Sequence, residues 1–330
     1  MSQIPQSAGS PIRPVVPPVL SGGETDVDWG KTSGQSIAET LESLDTRDST
    51  CQWKKEFQRS ETIRVWGVPF DRVDMHEAIQ CIGDMIADGR PRTVITANLN
   101  YVMLHDQHED LHDITQEASM IVADGQPIVW RTMLNRFFGK PQLPKRVAGS
   151  EMLFHLAQRA ARDGWRMYFL GGEPGVAEIC ATRLTELYPG LQVAGVEAPP
   201  FRELTPQEQE EQDDRIRKSG ADILLVAFGQ PKGERWISQH HQRLGVPVSM
   251  QVGASFDFVA NRARRAPKWI QRIGMEWAHR MMSDPARLLP RYAANAKFLC
   301  IAMWRDWSDF IYRNLMDEGT DETRTSATRN

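Results

Sequence analysis

The chain has 330 residues, with 39 Lys and Arg against 43 Asp and Glu and a formal net charge of -4. Its 41% apolar content suffices for a buried core, but a mean hydropathy of -0.46 points to polar tails around an ordinary domain. A pI near 6.1 argues against a general nucleic-acid binder, because positive charge is only local.

Residues 1–60 read as a disordered extension, rich in Pro, Gly and Ser at their start. No basic start leads into an apolar run, so no signal peptide is expected. Residues 61–260 form the expected catalytic domain. Apolar, partly β-branched runs recur at 63–68, 93–96, 120–123, 167–170, 223–228 and 248–252, with a weaker one at 191–196. Helical patterns lie between them at 75–86, 150–163, 176–187, 206–218 and 233–244. This alternation predicts an α/β fold with a mainly parallel, Rossmann-like sheet flanked by helices. Residues 261–315 read as a basic, amphipathic helical appendage and 316–330 as a disordered tail. The run 292–304 is too short to span a bilayer and is interrupted by Asn295 and Lys297. Cys51, Cys81, Cys180 and Cys300 form no CxxC pair; Cys180 and Cys300 are expected to be buried.

In open α/β sheets, ligands lie beyond the carboxyl ends of the strands. The first such end reads Thr96-Ala97-Asn98-Leu99-Asn100, whose hydroxyl and amide groups can cap the next helix or bind a ligand, capping alone being favoured for any one of them. The second reads Asp124-Gly125-Gln126-Pro127; on position alone Asp124 is a turn residue or N-cap before it is a general base. The third, Gly171-Gly172-Glu173-Pro174-Gly175, is a tight turn or a phosphate cradle, and it departs from GxGxxG. The fourth, Gly229-Gln230-Pro231-Lys232-Gly233-Glu234-Arg235-Trp236, places Lys232 and Arg235 at a helix start, against the dipole, which is easier to explain beside an anion. The fifth, Val252-Gly253-Ala254-Ser255-Phe256-Asp257, leaves open whether Asp257 organises a loop or faces the pocket.

The segment from Arg262 to Arg291 carries eight Lys and Arg against Glu276 and Asp284, with Trp269 and Trp277 among them. Such a segment in an acidic chain points to an anion: phosphate, a lipid surface or nucleic acid. Within it Trp269, Ile273, Trp277 and Met281 recur every fourth residue, a stripe for core packing or for a lipid interface. The sole Asp-x-Asp triplet, Asp26-Val27-Asp28, has no strand before it, and the histidines form no zinc spacing, so the site is expected to be metal-free.

Together these motifs resemble the WecG/TagA/CpsF family, family 26 of the glycosyltransferases. The match includes Arg146-Val147-Ala148-Gly149-Ser150-Glu151 and the closing Arg265-Ala266-Pro267-Lys268-Trp269, Gly274-Met275-Glu276-Trp277-Ala278-His279-Arg280 and Pro285-Ala286-Arg287. The resemblance implies a bacterial, cytoplasmic, peripherally membrane-associated, inverting enzyme that needs neither metal nor cofactor. It would move a hexose of the glucose, N-acetylmannosamine or N-acetylmannosaminuronic acid type from a UDP-sugar to a polyprenyl-diphosphate-linked saccharide, in exopolysaccharide or other cell-surface polysaccharide synthesis. Nucleic acid is not an expected partner, and self-association is left open. The resemblance makes Asp124 the base and places Thr96 and Asn98 in its pocket. Gly125, Arg146, Gly171, Gly172, Gln230, Lys232, Glu234 and Asp257 are the further substrate-binding candidates, with Arg280, Arg287 and Arg291 closing over the diphosphate. Gly233, Glu151 and Ala254 depart from the usual Gln, Asp and Gly; these departures bear on the sugar more than on the reaction. A nucleotide-binding oxidoreductase and a non-catalytic scaffold of a polysaccharide assembly complex are the alternatives.

Overall fold

The computed structural model describes residues 57–260, 281–282 and 285–327. The expected extension at 1–60 and most of the basic segment, including the helix read at 268–282, therefore lie largely outside the described residues.

The apolar run at 63–68 is not one strand. Trp66 (φ +46°) and Gly67 (φ +90°) break it into an antiparallel hairpin of β1 (Thr62–Val65) and β2 (Val68–Asp71). A two-residue hairpin loop favours positive φ at both positions, and Gly67 adopts it without a Cβ to clash. The remaining strands are β3 (Arg92–Ala97), β4 (Met120–Ala123), β5 (Arg166–Gly171), β6 (Gln192–Glu197), β7 (Ile223–Ala227) and β8 (Val248–Gln251). They form one sheet in the order β4-β3-β8-β7-β5-β6, and every neighbouring pair is parallel. The weak pattern at 191–196 is the edge strand β6. This is the α/β architecture expected from the alternating patterns.

Period-two alternation with two buried faces explains the apolar runs. Val94, Met120, Met167, Phe169, Ile223 and Leu225 face one core. That core is shared with α1 (Met75–Asp88), α5 (Gly149–Asp163), α6 (Val176–Leu187) and α9 (Ser255–Val259). Ile95, Ala97, Ile121 and Ala123 face the other side, against the hairpin, α2 (Leu99–Gln107) and α4 (Gln126–Met133). Further along that face, Leu170, Leu224 and Val226 meet Ile216 of α7 (Pro206–Ser219) and Ile237 of α8 (Lys232–Leu244). A short helix, α3 (Asp110–Glu117), lies between α2 and β4. Local signals start the helices: Asp74 with Glu77, and Thr205 with Glu208, form capping boxes before α1 and α7.

A long C-terminal helix, α10 (Pro285–Ala327), continues through the residues read as a tail. Among its described side chains, Leu288, Asn295, Phe298 and Ala302 are buried. Phe298 and Ala302 enter the hairpin core, and Asp306 accepts hydrogen bonds from Trp66 Nε1 (2.9 Å) and Arg131 Nη2 (3.0 Å). Cys300, expected inside, is exposed because it lies two residues past Phe298, off that face, whereas Cys180 is buried as expected.

Asp71 ties the hairpin to the sheet. It is 2% exposed, accepts from Nε and Nη2 of Arg59, and accepts from the Ile121 backbone N–H at 2.7 Å. Burial outweighs the Arg59 partner and holds this carboxyl above its ordinary range. Asp71→Ala strands both donors, and chemical denaturation is expected to show a loss of about 3 kcal/mol. Asp71→Asn, which keeps an acceptor for Ile121, is expected to lose less.

Candidate active site at the strand ends

The parallel register brings the motif residues to one edge. Ala97 pairs with Ala123, so Asn98 and Asp124 leave adjacent strands at the same level. Asn98 caps α2, its Oδ1 accepting from Tyr101 N at 3.1 Å. Capping therefore occupies its side-chain oxygen.

Asp124 departs from the capping reading. The N-cap of α4 is Gly125, a residue with no side chain to cap with. The Asp124 backbone N–H donates to Ala97 O at 2.9 Å. Its carboxylate points to the first turn of α5: a Cβ placed on Gly149 would lie 3.5 Å from Asp124 Oδ2 and 3.4 Å from Thr96 Oγ1. Thr96, Asp124 and the start of α5 thus converge, and the positive end of a helix favours a carboxylate there. Gly125 leaves the backbone of Asn98 uncovered, where a Cβ would stand in contact with Asn98 Cα at 3.7 Å.

Hydrogen bonds join this cluster to its neighbours. Thr96 Oγ1 donates to Gln251 O at 3.0 Å. Asn100 Nδ2 donates to Gln230 Oε1 at 3.2 Å, and Gln230 Nε2 reaches Thr96 O at 3.5 Å. Arg146 Nη2 contacts Glu151 Oε1 at 3.4 Å, an ion pair inside the motif that leads into α5. Asn100, the second residue of α2, belongs to the first strand-end motif but was not among the substrate-binding candidates.

The remaining candidates spread along the edge. Gly171 (φ +99°) and Gly172 (φ +82°) turn the chain after β5, and a Cβ on Gly171 would stand 2.8 Å from the Phe228 ring. Only glycine fits both that φ and that contact. Lys232 opens α8, with Nζ 5.8 Å from the Phe228 ring centre. Arg235 donates to both oxygens of Asp110 at 2.6 and 3.1 Å, so a carboxylate of the chain accounts for its position. Asp257 lies on α9, near enough to Cys180 to help burial raise that thiol's pKa. The side chain of Arg287 and all of Arg280 lie outside the described residues. Arg291 lies on α10 and acts electrostatically on Glu234. Among the described residues, no group of three His, Cys, Asp or Glu is placed to hold a metal ion.

Glu234 stands behind this edge rather than on it. It is 3% exposed, and neither carboxylate oxygen has a hydrogen-bond partner among the described residues. The side-chain amide of Gln251, 1% exposed, is equally unpartnered. Both border a cavity of ≈ 10 Å³, room for one water. Burial pushes the Glu234 pKa up to about 7; Gln230, Arg235 and Arg291 lie close enough to counter this only partly. A Cβ on Gly233 would fall 2.5 Å from the Gln251 side chain, so Gln251 fills the space at the position where the family usually has Gln.

A carboxylate, a hydroxyl and amides gathered at the carboxyl ends of a parallel sheet define an α/β enzyme site. The sequence pattern described as the glycosyl transferase WecG/TagA/CpsF family matches residues 63–310, and the chain belongs to that family. One relative is the N-acetylglucosaminyldiphosphoundecaprenol N-acetyl-beta-D-mannosaminyltransferase of Bacillus spizizenii. It is 28% identical over 194 residues, which cover 59% of this chain and 72% of the relative.

A buried carboxyl with a raised pKa stabilises the fold at low pH. That contribution is full below the unfolded value near 4.5 and is lost as pH rises through about 7. Glu234→Gln removes this dependence. Relative to the variant, the native chain is expected to lose about 3 kcal/mol between pH 5 and pH 8 in denaturation experiments.

Proposed function

We propose that this chain is an inverting glycosyltransferase that moves a hexose from a UDP-sugar to a polyprenyl-diphosphate-linked saccharide. The observation that carries the reading is Asp124: a carboxylate at a strand end, beside Thr96 and the start of α5. The name of the Bacillus relative favours an N-acetylmannosamine donor and a lipid-diphosphate-linked N-acetylglucosamine acceptor among the sugars open to this family. Cell-surface polysaccharide synthesis is the corresponding setting.

In this reading Asp124 takes the proton of the acceptor hydroxyl. The acceptor oxygen attacks the anomeric carbon from the face opposite the nucleotide. The bond from that carbon to the diphosphate oxygen breaks, and UDP leaves with the electron pair, so the configuration inverts. Thr96 and Asn98 position the reacting sugars, and Gly125 leaves room for them. Gln230 orients the pocket through Asn100 and Thr96 O. Gly171, Gly172 and Lys232 receive the nucleotide side of the donor, with Asp257 at its margin. Arg280, Arg287 and Arg291 supply charge to the departing diphosphate, and Arg146 braces the start of α5 through Glu151. Glu234 acts through its neighbours rather than by contact.

Asp124→Asn is expected to lower transfer by about 10²–10⁴-fold, as removal of a general base does, while UDP affinity stays at the native value. Calorimetry alongside a radiolabelled transfer assay reads both quantities. Native turnover in the variant would remove Asp124 from the role of base.

A lipid-linked acceptor also places the enzyme at a membrane surface, on the cytoplasmic side where nucleotide sugars are held. No helix among the described residues is long and apolar enough to cross a bilayer. The support for surface association is α10, on which Trp304 (70% exposed), Trp307 and Ile311 stand three and four residues apart. The double variant Trp304→Ala, Trp307→Ala is expected to sediment less with vesicles containing anionic lipid. Equal sedimentation would move the contact elsewhere on the chain.

A further inference from the structure

The chain between β4 and α5 leaves a strand end and comes back to it. It departs at Asp124, runs out along α4 and a 3-10 turn (Leu134–Phe138), and returns where the Val147 N–H donates to Ala123 O at 2.9 Å. The excursion is tied together from within. The Leu143 N–H donates to Thr132 Oγ1 at 3.2 Å, and Asn135 Nδ2 donates to Pro141 O at 2.9 Å. Residues 124–148 therefore form a folded lip whose two ends stand at the strand end that carries Asp124. Connections of that length inside a compact domain are usually functional.

One face of α4 packs, and a second apolar face stays open. Ile128 and Val129 enter the hairpin core and fix the helix. Trp130, Met133 and Leu134 stand three and four residues apart and are 48%, 46% and 41% exposed. Three large apolar side chains left together in water mark a contact surface rather than scattered surface residues. Charge defines the chemistry of that contact. Residues 125–150 hold Arg131, Arg136, Lys140, Lys145 and Arg146 and neither Asp nor Glu, in a chain of net charge -4. Arg131 is taken by Asp306 and Arg146 by Glu151, while Arg136, Lys140 and Lys145 are exposed.

An apolar stripe beside exposed cations fits a molecule in which an apolar tail joins an anion. A UDP-sugar has the anion but no such tail. A polyprenyl-diphosphate-linked saccharide has both, in the order saccharide, diphosphate, tail. The lip follows that order outward: Asp124 stands at its root, and the stripe lies about 8–13 Å along the helix from Gly125, at a rise of about 1.5 Å per residue. One sugar and a diphosphate fill such a span. Arg131, next to Trp130, is bonded to Asp306, next to Trp307 of α10. The stripe is thereby locked to the helix that carries the proposed membrane contact.

We infer that this lip is the subsite for the lipid end of the acceptor. Trp130, Met133 and Leu134 hold the first isoprene units, and Arg136, Lys140 and Lys145 hold the diphosphate. The inference rests on the polyprenyl-diphosphate-linked acceptor of the reading above.

The test uses the full chain as native protein, as Trp130→Ala with Met133→Ala, and as Arg136→Gln with Lys140→Gln. All four positions are exposed, so both variants are expected to melt at the native temperature, which circular dichroism checks. Two acceptors carry the same saccharide diphosphate, one on polyprenol and one on a methyl group, and both are assayed in detergent micelles. Native protein is expected to show the lower KM for the polyprenyl acceptor. The apolar variant is expected to raise that KM about tenfold, the worth of burying roughly one large side chain, and so to bring the two acceptors together. The charge variant is expected to raise both acceptor KM values by a similar factor, because both molecules carry the diphosphate. A native polyprenyl KM in the apolar variant overturns the subsite, as does an equal KM for both acceptors in native protein or a matching rise in donor KM. Weaker sedimentation with anionic vesicles at native acceptor KM gives the stripe to the bilayer, and a changed sedimentation velocity gives it to a second copy of the chain; either overturns the assignment. Native protein that transfers to neither acceptor overturns the transferase reading itself.

Discussion

The ladder of backbone hydrogen bonds between parallel strands is the interaction on which the site depends. Ala97 opposite Ala123, Ile95 opposite Gln251 and Val226 opposite Gln251 set the heights of four strand ends. Thr96 can reach Gln251 O, and Asp124 can stand beside Thr96, because those registers hold. Side chains alternate along a strand, so a slip of one residue in β4 would send Asp124 to the opposite face. The apolar residues on both faces resist the slip, since every one of them would change sides with it. Packing far from the edge thereby positions chemistry at the edge.

Polarity inside this part of the molecule runs against packing. Thr96, Asn100, Glu234, Ser249 and Gln251 are all buried, and the side chains of the last three keep polar atoms without partners among the described residues. Unpaired buried polar groups are costly. Ser249 and Gln251 lie on β8 and Glu234 in the first turn of α8, next to the strand ends, which is where a protein accepts such a cost for function. Glu234 shows the consequence in its titration, and Gly233 shows it in space: the family's usual side chain has no room while Gln251 holds its present rotamer.

Much of the fold was legible because both faces of the sheet are covered, which writes short apolar runs between helical patterns. The hairpin was not, because Trp66 is apolar and hides a turn inside a continuous run. Asp124 could be located from its neighbours but not assigned, since a capping residue and a base share the same position, and sequence does not show its carboxylate lying beside Thr96 and the start of α5. Arg235 looked like half of an anion site because its partner, Asp110, is distant in sequence. Cys300 looked buried because composition carries no helix phase.

Asp306 bears on the order in which the molecule is completed. Its one carboxylate receives Trp66 of the hairpin and Arg131 of α4, and the Trp66 contact spans 240 residues. On a ribosome, the hairpin and α4 emerge early and remain without this partner while the whole sheet is made. Their shared core stays open on one side until Phe298 and Ala302 arrive to close it. The first strands synthesised are thus among the last to be sealed, and a chain stalled before α10 presents that unsealed surface to whatever chaperone or protease meets it first.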